Sequence, residues 1–218
     1  MYWIAIGDIH EATDVLPSIP GLEGAEGVII SGDLTNRGTR RAGERVLDAV
    51  AAINPRILAQ PGNMDTDEVQ AVLRERGADI HLKVRELAPG LGLMGVGLST
   101  PTPFGTPGEV SEETLSGWLD ATGAGLVRFD RMIAVIHEPP RNTAVDRLSN
   151  GQHVGSPGVR RFLERVQPDL AVTGHIHESV GTDRVGQTLV LNPGMLAGGG
   201  YVRIDYVNGA LTAELLSV

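Results

Sequence analysis

The sequence predicts a layered α/β protein, and three features carry that expectation. Short apolar runs rich in Ile, Val and Leu alternate with amphipathic stretches of helical period along most of the chain. After residue 170 the apolar runs follow one another with no helical stretch between them. The last two runs flank Asn208-Gly209, a tight-hairpin signal that argues against a purely parallel sheet.

The elements follow in order. Residues 2–6 read as a buried strand and 28–31 as a second. Residues 37–53 read as a helix, with Val46, Leu47, Val50 and Ile53 on one face. Residues 56–59 form a short strand, and 66–76 a helix with Thr66 at its N-cap and Glu68 in its first turn. Residues 91–98 are an apolar strand interrupted by glycine. Residues 99–108, rich in Pro and Gly, are loop. Ser111-Glu112-Glu113 suits the start of a helix over 111–122. A strand over 132–136, a long loop over 138–158 and a helix over 159–166 follow. Strands over 170–173, 188–191, 202–207 and 210–216 close the chain. With 218 residues and no repeat or low-complexity tract, residues 1–218 are expected to form one domain.

The absence of cysteine excludes disulfides, thiolate metal sites and a cysteine nucleophile. Any metal must sit on His, Asp, Asn, Glu or water. A net charge of −9 argues against broad nucleic-acid binding, which relies on Lys and Arg at the phosphates. It does not exclude a small phosphate ester, because a bound cation sets the local field. No segment is long and apolar enough to span a membrane, and no signal peptide is read, so the expected location is the cytoplasm.

The chemistry sits where strands end. The chain leaves successive strands through Gly7-Asp8-Ile9-His10, Gly32-Asp33, Gly62-Asn63-Met64-Asp65, His137 and Gly174-His175-Ile176-His177. Ligands in open α/β sheets bind outside the carboxyl ends of strands. Two Asp, one Asn and four His are too many ligands for one tetrahedral ion. They fit two ions sharing one carboxylate, a pair that clamps a phosphoryl oxygen and generates hydroxide at neutral pH.

The ordered set Asp8-x-His10, Gly32-Asp33, Gly62-Asn63, His137, Gly174-His175-x-His177 resembles the calcineurin-like metallophosphoesterase superfamily. Asn192-Pro193-Gly194 resembles a downstream turn of that family, and the Gly-Asn-x-Asp form its compact bacterial and archaeal branch. The resemblance implies a two-sheet β-sandwich flanked by helices, a four-layer fold with the site at the strand ends. It implies that Asp8, His10 and His177 bind one metal, that Asn63, His137 and His175 bind a second, and that Asp33 bridges them. The residues assigned to catalysis are Asp33, Asn63, Asp65 and His175. The implied activity is hydrolysis of a small phosphate ester by a metal-bridging hydroxide. Manganese is the first choice of metal, with iron, zinc and nickel as alternatives. Small branches of the family commonly form homodimers. The competing reading is a non-catalytic scaffold on the same fold.

One position departs from the family pattern. Many members carry His directly after the Asn, as general acid; here that residue is Met64. General-acid catalysis contributes about 10²–10⁴-fold, so turnover is expected to favour phosphodiesters with good leaving groups. Asp65 either orients Asn63 or caps the following helix. His81, among Asp79, Lys83 and Arg85, is expected on a solvated strand. His153 lies in a loop that reaches toward the site, as a substrate contact or substitute acid. Glu11 and Glu138, each following a ligand, read as exposed carboxylates by default and as a late general acid otherwise; Arg141 and Asn142 read as solvated loop by default and as contacts to a phosphate oxygen otherwise; Trp3 and Trp118 read as core.

Overall fold

The computed structural model describes residues 1–218, which fold into four layers. The first sheet contains β1 (Tyr2–Ile6), β2 (Val28–Ile30), β3 (Ile57–Ala59), β10 (Gly200–Val207) and β11 (Ala210–Ser217), in the order β11-β10-β1-β2-β3. The second contains β4 (Lys83–Ala88), β5 (Leu91–Val96), β6 (Arg131–Ile136), β7 (Leu170–Val172), β8 (Gly181–Val185) and β9 (Thr188–Asn192), in the order β4-β5-β6-β7-β9-β8. Helices α1 (Arg40–Ala51) and α2 (Asp67–Glu75) cover the first sheet. Helices α3 (Glu112–Gly123) and α4 (Pro157–Val166) cover the second.

Alternation of side chains builds the layers. Ile4 and Ile6 of β1 point to one face, against Val46, Val50, Val69 and Leu73 of the helices. Trp3 and Ala5 point to the other, against Leu93, Val135 and Val172 of the second sheet. Met94, Val96, Ala134 and Ile136 then meet Leu115, Leu119, Phe162 and Leu163. Central strands buried on both faces carry continuous apolar runs, and the predicted two-sheet sandwich flanked by helices is found.

Strand direction places the site. β1, β2 and β3 are parallel to one another, as are β5, β6, β7 and β9. Antiparallel pairing is confined to β1–β10, β10–β11, β4–β5 and β8–β9. Asn208 and Gly209 turn the final hairpin at φ of 52° and 79°, both left-handed.

Some boundaries differ from expectation. α1 begins at Arg40 rather than 37, because Arg37 is left-handed at φ 54°. α4 begins at Pro157, where a missing N–H costs nothing, and Ser156 Oγ accepts from the Val159 N–H at 3.0 Å. Thr66 precedes α2 but caps nothing with its hydroxyl, which donates to the Gly38 carbonyl. β8 is additional to the expected strands, and β4 takes up Lys83 and Arg85 of the solvated strand expected around His81; both are half-exposed edge strands whose polar sequences, KVRELA and GTDRV, lack an apolar run.

Candidate metal centre

The carboxyl ends of β1, β2 and β3 in one sheet meet those of β6 and β7 in the other. Backbone bonds lace the turns beyond them: Asp8 N–H to Gly32 O (3.1 Å), His10 N–H to Asp33 O (3.0 Å) and Gly174 N–H to His137 O (3.1 Å). Asp8, His10, Asp33 and His175 all have left-handed backbones, with φ of 47°, 47°, 51° and 69°. Asp and His tolerate that region better than most residues, and it is sparsely used outside turns and sites. Gly32 has φ 136°, and a Cβ there would run into the His137 ring. A Cβ at Gly62 would run into Asp33.

The seven predicted ligands converge as two sets of donor atoms. In the first, His177 Nε2 lies 3.1 Å from both Asp8 Oδ1 and His10 Nε2, and His10 Nε2 lies 3.7 Å from Asp33 Oδ2. These four ligand atoms fall within 4.8 Å of one another. In the second, Asn63 Oδ1 lies 2.7 Å from His175 Nδ1 and 3.0 Å from His137 Nε2, and His137 Nε2 lies 3.5 Å from Asp33 Oδ1. Asp33 thus turns one carboxylate oxygen toward each set.

Surrounding groups fix the donors. His137 Nδ1 faces the Ser31 carbonyl at 3.2 Å, which sets its N–H there and leaves the Nε2 lone pair facing the centre. Asn63 Nδ2 donates to Thr106 Oγ1 at 3.0 Å, which turns Oδ1 inward. Met64 N–H donates to Asp33 Oδ1 at 2.7 Å, and His175 N–H to Asp8 Oδ1 at 3.0 Å. Asn192 bonds the Ile176 carbonyl through Nδ2 and receives the Gly194 N–H, so the downstream turn braces the His175–His177 loop.

Asp65 neither bonds the Asn63 side chain nor caps α2. Its carboxylate accepts the N–H groups of Leu34, Thr35 and Gly62 and the Thr35 hydroxyl. It is a buried staple between the loops that carry Asp33 and Asn63.

The electrostatics show what the centre demands. His137 Nε2 faces the acceptors Asn63 Oδ1 and Asp33 Oδ1, so a proton or a cation must sit among them. Burial would depress the His137 pKa, yet the charge and hydrogen bond of Asp33 push it up to about 9. Asp33 answers: burial raises it, but His137, the Met64 N–H and His10 outweigh burial and hold it below the usual carboxylate range. Burial and the neighbouring His137 push His175 down to about 4, keeping it a neutral donor. Burial opposes protonation of His177, but its bond to Asp8 prevails and raises it. An all-N/O donor set with buried anions and convergent lone pairs fits divalent cations.

Five of the seven donor residues, His10, Asp33, Asn63, His175 and His177, line a cavity of about 940 Å³. Met64, Phe104, Glu138, Arg141 and His153 line its walls. Glu138 is not exposed as expected: it is 1% accessible, its Oε2 accepts the Thr100 N–H, and burial raises its pKa to about 8. Arg141 and Glu11 are exposed, Glu11 paired with Arg45. Asn142 is exposed as well, its N–H bound to Asp146. Trp3 is buried, and Trp118 is partly buried with its ring perpendicular to that of His81, centroids 5.2 Å apart. His81 itself is buried, not solvated; its Nδ1 accepts the Gly97 N–H at 3.0 Å. Thr106 and Ser31 support the donors without a signal in the sequence, since neither lies in a motif.

Comparison with known proteins places this geometry. The family model described as calcineurin-like phosphoesterase matches residues 1–179. An uncharacterised Methanocaldococcus jannaschii protein is 34% identical over 175 residues, 78% of this chain and 77% of the relative. The crystal structure of TT1561 of Thermus thermophilus is similar with a TM-score of 0.71 at 18% identity, covering 98% of this chain and 97% of that one. A dimetal phosphatase from Danio rerio gives 0.67 at 13% identity, covering 100% and 96%. The chain belongs to the calcineurin-like phosphoesterase family, as a metal-dependent phosphoester hydrolase.

Proposed function

We propose that this phosphoesterase cleaves phosphodiesters with good leaving groups at a two-ion centre bridged by Asp33. The observation that carries the reading is the Asp33 carboxylate, with Oδ2 toward His10 and Oδ1 toward His137. Asp8, His10 and His177 complete one ion's ligands, and Asn63, His137 and His175 the other's. Manganese is the first choice of metal. Bound there, the ions supply positive charge for the phosphoryl oxygens and lower the pKa of water into the neutral range.

The chain's residues define the approach. His10 is 6% accessible, His175 12% and His177 37%, so an ester arrives over His175 and His177 from the cavity. The walls carry Arg37 and Arg141 against the anionic Glu178. Arg37 is already engaged by the carbonyls of Phe104 and Gly105. Such walls offer little net positive charge to a monoester dianion and suit the singly charged diester better. Met64 lines the cavity and brings no proton. A scaffold has no use for seven oriented ligands.

The test is turnover of bis(para-nitrophenyl) phosphate against para-nitrophenyl phosphate, with manganese and with chelator. Chelator-sensitive hydrolysis that favours the diester is expected. No bound metal and no turnover with manganese, iron, zinc or nickel would establish the scaffold reading instead.

A further inference from the structure

We propose that His153 is the proton donor to the leaving group, positioned by Asp146; this rests on the phosphodiesterase reading above and widens it to poorer leaving groups than the Met64 position alone would serve. His153 Nδ1 lies 2.7 Å from Asp146 Oδ1. Asp146 is fully buried, and its carboxylate also accepts the N–H groups of Asn142, Thr143 and Gly155. A carboxylate so fixed sets the imidazole's orientation and keeps the Nδ1 proton in place. Nε2 is then the free atom, and it has no hydrogen-bond partner within the protein. The ring is 34% accessible and lines the same cavity as His10, His175 and His177.

The loop that carries this pair is braced rather than loose. Arg147 and His153 form an antiparallel bridge, and Pro140 pairs with Ser156. Ser179 Oγ donates to the Arg147 carbonyl, and the Ala144 N–H donates to Asp183 at 2.7 Å. A histidine presented by so fixed a loop does not serve the core, since its ring makes one hydrogen bond and faces open space.

In-line displacement assigns the direction. Asp33 and Asn63 line the cavity at 1% and 4% accessibility against 34% for His153, so a phosphoryl group at the donors lies deeper than the His153 ring. The leaving group then points outward along the walls. Arg37 and Arg141 on those walls cannot give up a proton at neutral pH. Glu178 accepts from Ser149, is held below the usual carboxylate range, and is an anion. Glu138 also holds a proton, since burial raises its pKa, but it is 1% accessible and 3.9 Å from His175 Nε2, at the depth of the donors rather than of the leaving group. His153 is the proton carrier left on the outward wall. As a hydroxide oxygen bonds to phosphorus, the bond from phosphorus to the leaving oxygen breaks. That oxygen takes the Nε2 proton of imidazolium His153, which becomes neutral imidazole, still bonded to Asp146, and is reprotonated from water. The charged groups facing the ring are Asp146, in contact, Arg147 across the bridge, and Glu138, Arg141 and Glu178 around the cavity.

The experiment measures kcat and KM of the manganese-loaded protein, His153→Ala and His153→Gln across aryl methyl phosphodiesters of graded leaving-group pKa. The expected loss is about 10²-fold or more in kcat for the poorest leaving group and little for the best. Imidazole should restore His153→Ala, and Gln should not restore kcat. A separate readout is proton NMR of the zinc-loaded protein, in which phenylphosphonate should shift the His153 Cε1–H resonance. Equal losses on all esters, a change in KM alone, or no imidazole rescue would overturn the assignment. A wild type inert toward every ester would instead overturn the phosphodiesterase reading.

Discussion

Thr106 holds Asn63 by a hydroxyl: Asn63 Nδ2 donates to Thr106 Oγ1 at 3.0 Å, and the same hydroxyl donates to Glu109 Oε1 at 2.7 Å. The chain from Glu109 through Thr106 to Asn63 decides which amide atom faces His137 and His175. Glu109 is suited to anchor it. Slight burial pushes its carboxyl up, but the bonds from Thr102 and Thr106 prevail and hold it down at about 2.

Thr106→Val is therefore expected to keep the fold and weaken one metal. Partners of this kind typically contribute about 10–100-fold in metal affinity. Metal titration by calorimetry checks this: one binding event weakened and the other kept is the expected result. Two unchanged sites would remove the role assigned to Thr106.

His137→Ala should act on the same ion more strongly. His137 is fully buried and touches only the second donor set, through Asn63 Oδ1 and Asp33 Oδ1. Metal analysis should give one ion per chain in the variant against the two expected in the wild type. Loss of both ions together would show that binding is cooperative through Asp33.

His81 predicts a pH dependence of stability away from the centre. Burial pushes its pKa down from 6.5 to about 4, although Asp79 pulls the other way. Below pH 6.5 the unfolded chain binds a proton that the folded chain refuses, so stability falls as pH drops from there to about 4. The span is worth ~3 kcal/mol. His81→Asn keeps an acceptor for the Gly97 N–H and does not titrate. Chemical denaturation of this variant across that window should show a shallower acid loss than the wild type; an identical slope would contradict the account.

The strand ends are legible in the sequence because each joins an apolar run to a residue that only a turn or a site uses. Asp8, Asp33 and Asn63 each follow a glycine that lets a neighbour approach, and periodicity places the strands before them. What stays hidden depends on contacts between distant residues. The residues around His81 are charged, yet the fold buries its ring against Trp118. Glu138 follows a ligand into the cavity wall, where the sequence reads by default as an exposed carboxylate. The Asn63–Thr106 bond spans 43 positions and leaves no periodic trace. The edge strand β8 escapes a reading by periodicity, and β4 is legible only as a polar strand of undefined extent, because an exposed face dilutes their apolar pattern.

Asp33 bears the central claim, since a carboxylate shared between two ions is what separates this centre from two independent sites. The most direct measurement is electron paramagnetic resonance of protein loaded with manganese, combined with metal analysis. Two ions per chain with an exchange-coupled spectrum are expected, and Asp33→Asn should lose both the coupling and turnover. A single ion per chain, or two uncoupled ions with a normal rate in Asp33→Asn, would contradict the account.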